Sequence, residues 1–224
     1  MKLLLTAAGI KNASISDALV DLLGKPIADS SALCIPTGSY ANPGGVARAW
    51  EFISGLEPEC PMTELGWKSM GVLELTALPS IDRDRWVPVV EATDVLLVNG
   101  GDPLYLSYWM QQSGLAELLP SLRNTVYVGL SAGSMIMAPS VGEWFVGWRP
   151  PGGGDDTTLG LVDFAMFPHL DHPELQYNSM AHAERWAAEI SVPAYAIDDQ
   201  TAIRVADGAV DVVSEGHWRL FEAS

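Results

Sequence analysis

The sequence predicts a doubly wound α/β fold built on a mainly parallel sheet, and three observations predict it. Short apolar runs of strand length alternate with amphipathic stretches through the first two-thirds of the chain. Those runs are apolar at nearly every position, as strands buried on both faces are. The connections between them are long enough for crossovers, which are right-handed and place helices on both sides of the sheet.

Taken in order, Leu3 to Thr6 reads as a first strand, followed by a helical pattern from Ile15 to Leu23 that Gly24 closes. Leu33 to Ile35 precedes a Pro/Gly loop and a helix near Val46 to Ile53. Val72 to Leu75 is followed by a helix over Trp86 to Val90, and Val95 to Val98 by one over Leu104 to Leu119. Val126 to Val128 runs into a segment starting at Ser131. After Ser140 the character changes: Pro150 to Asp156 is a turn-rich, exposed loop. Phe164 to Phe167 then reads as a strand and Met180 to Ile190 as a helix. The tail carries four β-type runs (Ala194 to Ile197, Ala202 to Val205, Val210 to Val213, Trp218 to Phe221), split by Asp207-Gly208 and Glu215-Gly216. Both dipeptides are hairpin signals, so the C-terminus is expected to supply antiparallel strands.

The chain has 224 residues, enough for one sizeable domain over 1–224, and no internal repeat or low-complexity tract divides it. At 48% hydrophobic and 18% charged residues, it can bury a large core. Twelve Lys and Arg stand against 28 Asp and Glu, a formal charge of −16 that argues against a nucleic acid or an anionic membrane surface as partner. Cys34 sits in an apolar run and Cys60 in a loop. Neither forms a CxxC pair, which fits a reducing, cytoplasmic compartment. The apolar start is broken by Gly9 and Lys11, so it reads as a strand rather than a signal peptide.

Chemistry concentrates at Val126 to Ser134, where an apolar strand enters Gly129-Leu130-Ser131-Ala132-Gly133 and a helix-like segment. This is the nucleophile-elbow pattern. The glycines let the chain turn sharply and hold the Ser131 hydroxyl above the sheet edge. The following helix aims backbone N–H groups, Ala132 first, at a developing oxyanion. A plain βα turn with a capping serine is the blander reading of the same residues. Asn99-Gly100-Gly101-Asp102 ends the preceding strand, where backbone can approach a substrate carbonyl. Asp102 also suits an N-cap, with Pro103 at the first helical position. Of four histidines, His169 ends a strand and would reach the same edge as the base. His169, Asp171 and His172 form a possible metal set, but no third His or Cys falls at a customary zinc spacing. No metal or organic cofactor is expected. For the acid that orients the histidine, spacing leaves Glu143, Asp155 and Asp156 open.

In these residues the sequence resembles the dipeptidase E / cyanophycinase family of serine peptidases, whose fold is like class I glutamine amidotransferases. The pieces are Asn99 to Asp102, Gly129 to Ser134, Leu159 to His169 and Ala196 to Gln200, an ordered set spanning nearly the whole chain. The resemblance implies Ser131 as nucleophile, His169 as general base, and the Gly100/Gly101 region as part of the oxyanion hole. Members place the triad acid after the elbow helix, which makes Glu143 the choice here. In the family's aspartyl dipeptidases an arginine on the helix after the histidine reads an N-terminal aspartate. Its counterpart here is His182, with Arg185 one turn later.

The expected activity is hydrolysis of short peptides, with some preference for an N-terminal aspartyl residue, by a monomer or homodimer. An isoaspartyl or cyanophycin-type peptidase and a non-catalytic amidotransferase-like binding module are the alternatives. A glutamine amidotransferase is disfavoured, since that chemistry uses cysteine where Ser131 stands. The Pro150 to Gly154 loop is expected to restrict the active site, and Trp144 and Trp148 to wall the substrate pocket.

Overall fold

A computed structural model describes residues 1–57 and 59–223. The strands and helices in chain order are β1 (Lys2–Thr6), α1 (Ala13–Leu23), β2 (Ser31–Ile35), α2 (Gly45–Ser54), β3 (Ser69–Val72), α3 (Arg83–Glu91), β4 (Val95–Val98), α4 (Pro103–Gln112), α5 (Leu115–Leu118), β5 (Val126–Leu130), α6 (Ala132–Met135), β6 (Ala165–Phe167), α7 (Met180–Ala187), β7 (Ala194–Ile197), β8 (Thr201–Ala206), β9 (Ala209–Ser214) and β10 (Trp218–Phe221). Seven strands make one sheet in the order β3-β2-β4-β5-β1-β8-β9, and three make a second in the order β10-β7-β6. From β3 to β1 every neighbour is parallel; β8 and β9 close that sheet as an antiparallel hairpin.

The period-2 alternation of the central strands sorts their side chains between two cores. Leu3, Leu5, Leu33, Ile35, Leu96, Val98 and Tyr127 pack with Trp86, Leu106, Met110 and Met135 from α3, α4 and α6. Leu4, Cys34, Leu97 and Val128 face the other way, against Ile15, Leu19 and Leu22 of α1 and Phe52 of α2. The mainly parallel sheet covered on both faces is therefore as expected. Each helix end has a local cause. Asn12 caps α1 through Ile15 N–H at 2.9 Å, and Gly24 ends it in the left-handed conformation, its N–H on the Val20 carbonyl.

Three expectations shift. The third strand lies earlier than Val72 to Leu75; Leu73 and Leu75 are buried in the irregular segment after β3, because an apolar run signals burial and not necessarily pairing. The helix expected over Leu104 to Leu119 breaks at Gly114, whose φ of 78° stops α4 and starts α5. The Glu215-Gly216 turn does not fold β10 back on β9. Instead β10 crosses to the small sheet and pairs antiparallel with β7.

The small sheet decides where the site forms. There β6 and β7 run parallel with Phe167 opposite Ala196, and the Leu170 N–H bonds the Ile197 carbonyl at 2.9 Å. Their C-terminal ends thus lie side by side. Phe167, Ala196, Ala183 and Trp186 fill a third core beneath them, with Trp186 Nε1 donating to the Val141 carbonyl at 2.8 Å.

Candidate active site

Ser131 leaves β5 with φ 50° and ψ −115°, a conformation that costs free energy for any residue with a Cβ. Neighbouring hydrogen bonds hold it. The Ser131 N–H donates to the Thr6 carbonyl at 3.0 Å, the Ser134 hydroxyl to the same carbonyl at 2.8 Å, and Thr6 Oγ1 to the Gly129 carbonyl at 2.7 Å. The two glycines of the motif are needed for close approach: a Cβ on Gly129 would sit 2.7 Å from the Gly133 carbonyl, and one on Gly133 only 2.4 Å from the Val98 carbonyl oxygen. The elbow is a strand and a helix pressed together with no room for a methyl group.

Next to it, the turn after β4 brings Gly100 so close to Ser131 that a Cβ on it would lie 3.2 Å from the serine Cβ. Gly101 has φ 126° and passes so near Gly38 that a side chain would collide with its carbonyl. Among the described residues the N–H groups of Gly101 and Ala132 have no hydrogen-bond acceptor. Ala132 is the first residue of α6, where an N–H is left free by helix geometry. Asp102 caps α4 through Tyr105 N–H at 2.9 Å and also accepts the Trp148 N–H at 2.7 Å, so the capping reading of this turn and its place beside the serine hold together.

His169 follows β6 with φ 56°, and its Nε2 stands 3.0 Å from Ser131 Oγ. Its Nδ1 lies 2.7 Å from Oδ1 of Asp199, the second residue past β7. Burial alone would push the Asp199 carboxyl up. The hydrogen bond with His169 and the charges of His169, His172 and Lys11 outweigh it and hold the group below the usual carboxylate range. Serine, imidazole and carboxylate thus form one hydrogen-bonded line, three-quarters buried or more at its histidine and acid.

Glu143 is not part of that line, a correction to the sequence-based choice. It lies in a short 3-10 turn, paired with Arg149 at 2.5 Å, its side chain 60% exposed. Asp155 is bound to Thr157, and Asp156 to the Ser140 hydroxyl at 2.6 Å. The signal that could have found Asp199 was its position just past a strand end, in the Ala196 to Gln200 stretch. The parallel pairing of β6 with β7 that gives the position its meaning is a long-range property.

Two cavities, of about 250 and 280 Å³, meet at Ser131 and His169. The first is also lined by Ser39, Asn42, Arg48, Glu57 and Cys60, the second by Met135, Phe145, Leu175 and Asn178. Arg185 and His182 line neither. Arg185 is exposed on α7, and His182 is bound to the Ser179 hydroxyl at 2.6 Å between the rings of Trp144 and Tyr177. Arg48 and Glu57, which sequence reasoning missed, line the first cavity together with Ser131. Burial and the neighbouring Glu51 and Glu64 raise the Glu57 carboxyl above its usual range, against the pull of Arg48, and its buried Oε2 has no hydrogen-bond partner among the described residues. Cys60, in the same wall, is pushed up to about 12 by burial and by Glu57, so its thiol stays protonated. Nor does the Pro150 to Gly154 loop cover the serine; Pro150 and Gly154 line a separate cavity against Tyr108 and Gln111 of α4. Trp148 packs on Tyr105 and Tyr108.

The chain is similar to two solved structures along nearly its whole length. One is a candidate peptidase E protein from Listeria monocytogenes EGD-e, at 18% identity and a TM-score of 0.65, covering 96% of this chain and 98% of that one. The other is a peptidase from an acI-B1 Actinobacterium, at 18% identity and a TM-score of 0.66, covering 99% and 94%. At that identity the likeness shows the fold. A search among curated proteins gives no match. The model of Peptidase family S51 matches residues 3–213, and the chain therefore belongs to that family of serine peptidases.

Proposed function

We propose that the protein is a serine peptidase for very short peptides, with Ser131 as nucleophile, His169 as base and Asp199 as the acid that orients it. The observation that carries this reading is the line Ser131 Oγ–His169 Nε2–Asp199 at 3.0 and 2.7 Å, set on a strained elbow. His169 Nε2 takes the Ser131 proton as Oγ attacks the scissile carbonyl. The N–H groups of Gly101 and Ala132 receive the oxyanion, with Gly100 giving the substrate room to approach. His169 then hands its proton to the leaving amine, and water resolves the acyl-enzyme by the same route. None of these steps calls for a metal or organic cofactor.

Substrate size follows from the cavities. The two cavities, of about 250 and 280 Å³, share Ser131 and His169 and together fall within the roughly 300–1,000 Å³ common for small-molecule sites. A dipeptide with its scissile bond over Ser131 suits them. Arg48 and Glu57 favour an N-terminal aspartyl residue: the guanidinium pairs with its carboxylate, and the unpartnered Glu57 oxygen accepts from its ammonium. Arg48 thus takes over the role first given to Arg185 and His182.

A panel of α-aspartyl, β-aspartyl and neutral dipeptides tests this. α-Aspartyl dipeptides are expected to turn over fastest. Arg48→Gln is expected to remove that preference while sparing neutral substrates. Preference for β-aspartyl bonds would replace the reading with an isoaspartyl peptidase, and no turnover across the panel would point to a binding module.

A further inference from the structure

Asp199 has two carboxylate oxygens, and the triad uses only one. Oδ2 lies 3.6 Å from Nε2 of His172. The two imidazoles stand edge to face, ring centroids 6.2 Å apart at 83°, joined by a tight turn in which His172 N–H donates to the His169 carbonyl. His172 Nδ1 accepts the Glu174 backbone N–H at 3.2 Å. That bond fixes the tautomer: the neutral ring carries its hydrogen on Nε2, the nitrogen facing Asp199. At 3.6 Å this is an electrostatic contact rather than a hydrogen bond.

We propose that His172 is a positioning residue for the serine peptidase reaction, holding the second oxygen of Asp199 so that the first stays aligned on His169. The proposal rests on the Ser131–His169–Asp199 reading above. An N–H or a positive charge on Oδ2 also weakens the carboxylate's grip on the His169 proton. Losing that contact leaves the whole carboxylate charge to the His169 ring, a change that the pH profile of Ser131 reactivity reads out. The other groups around the pair leave this role to His172. Asp171 is turned to His217 at 3.0 Å, and Asp198 pairs with the same ring at 3.0 Å. Lys11 also acts on Asp199 while bound to Glu59 at 3.2 Å, and the Cys60 thiol is uncharged.

The test follows the rate at which a fluorophosphonate probe labels Ser131, as a function of pH, in wild type, His172→Phe and His172→Gln. Thermal melts establish that each variant is folded. In His172→Phe the acidic limb is expected to move up by roughly 0.3–0.5 pH unit, the scale of charges about 6 Å apart screened by water. Its plateau rate is expected to fall several-fold. Glutamine, which keeps an N–H donor but no charge, is expected to recover most of the plateau rate and little of the pH shift. An unmoved limb in the phenylalanine variant, or equal loss in the two folded variants, would overturn the proposal. Ser131→Ala separates this failure from that of the underlying reading: labelling that persists in that variant means Ser131 is not the nucleophile, whatever His172 does.

Discussion

Ser131, His169 and Asp199 form one hydrogen-bonded line in which each fixes the next. The strained serine backbone presents Oγ, the histidine ring is pinned at both nitrogens, and the carboxylate is held ionised. Asp199→Asn keeps the shape but favours the wrong histidine tautomer, so kcat is expected to fall by about 10³–10⁴. Glu143→Gln is expected to change it less than about twofold, since exposed ion pairs such as Glu143–Arg149 contribute little. Steady-state kinetics on one dipeptide decides between them; the opposite ranking would restore Glu143. Asp199 also links stability to pH. Its folded pKa lies below the unfolded value of about 3.9. The stability it contributes is present above the unfolded value and is lost as pH falls through the folded one. Denaturant melts of wild type should therefore lose stability between about pH 5 and pH 2 more steeply than those of Asp199→Asn. Parallel curves would refute the depressed carboxyl.

At the scale of elements, the elbow was legible in sequence because its constraint is local. Strand, glycine, serine, glycine and helix are contiguous, and the structure shows why each glycine is there. Gly133→Ala pushes a methyl group into the Val98 carbonyl, and thermal melts should show destabilisation of about 1–3 kcal/mol together with loss of activity. Gly24→Ala, left-handed but with open space around it, should cost about 1 kcal/mol and leave kcat alone. Equal kinetic effects would mean the elbow's tight packing is unimportant. The pieces misread were those whose meaning depends on distant partners. Leu73 and Leu75 are apolar because they are buried, not because they pair. Glu143 drew attention by following the elbow in sequence, whereas Asp199 reaches His169 only because β7 lies parallel to β6. Arg48 and Glu57 lie far from Ser131 in sequence, on the other side of the chain's first crossovers, and no local pattern announces them.

Across the whole molecule, the site sits where two sheets meet: the large sheet carries Ser131 and the N–H groups of Gly101 and Ala132, the small sheet His169 and Asp199. A net charge of −16 burdens this compact body with self-repulsion, so Tm is expected to rise by a few degrees as salt screens it toward a Debye length of about 8 Å. A flat response would mean the charges are already balanced by local pairing. Among the described residues no helix is long and apolar enough to cross a membrane. The family assignment and the geometry meet in a single side chain, and the most direct test is to remove its hydroxyl. Hydrolysis of the fastest dipeptide in the panel should drop by at least about 10³-fold in Ser131→Ala, with the melting curve unchanged. Turnover near the wild-type rate in that folded variant would contradict the account.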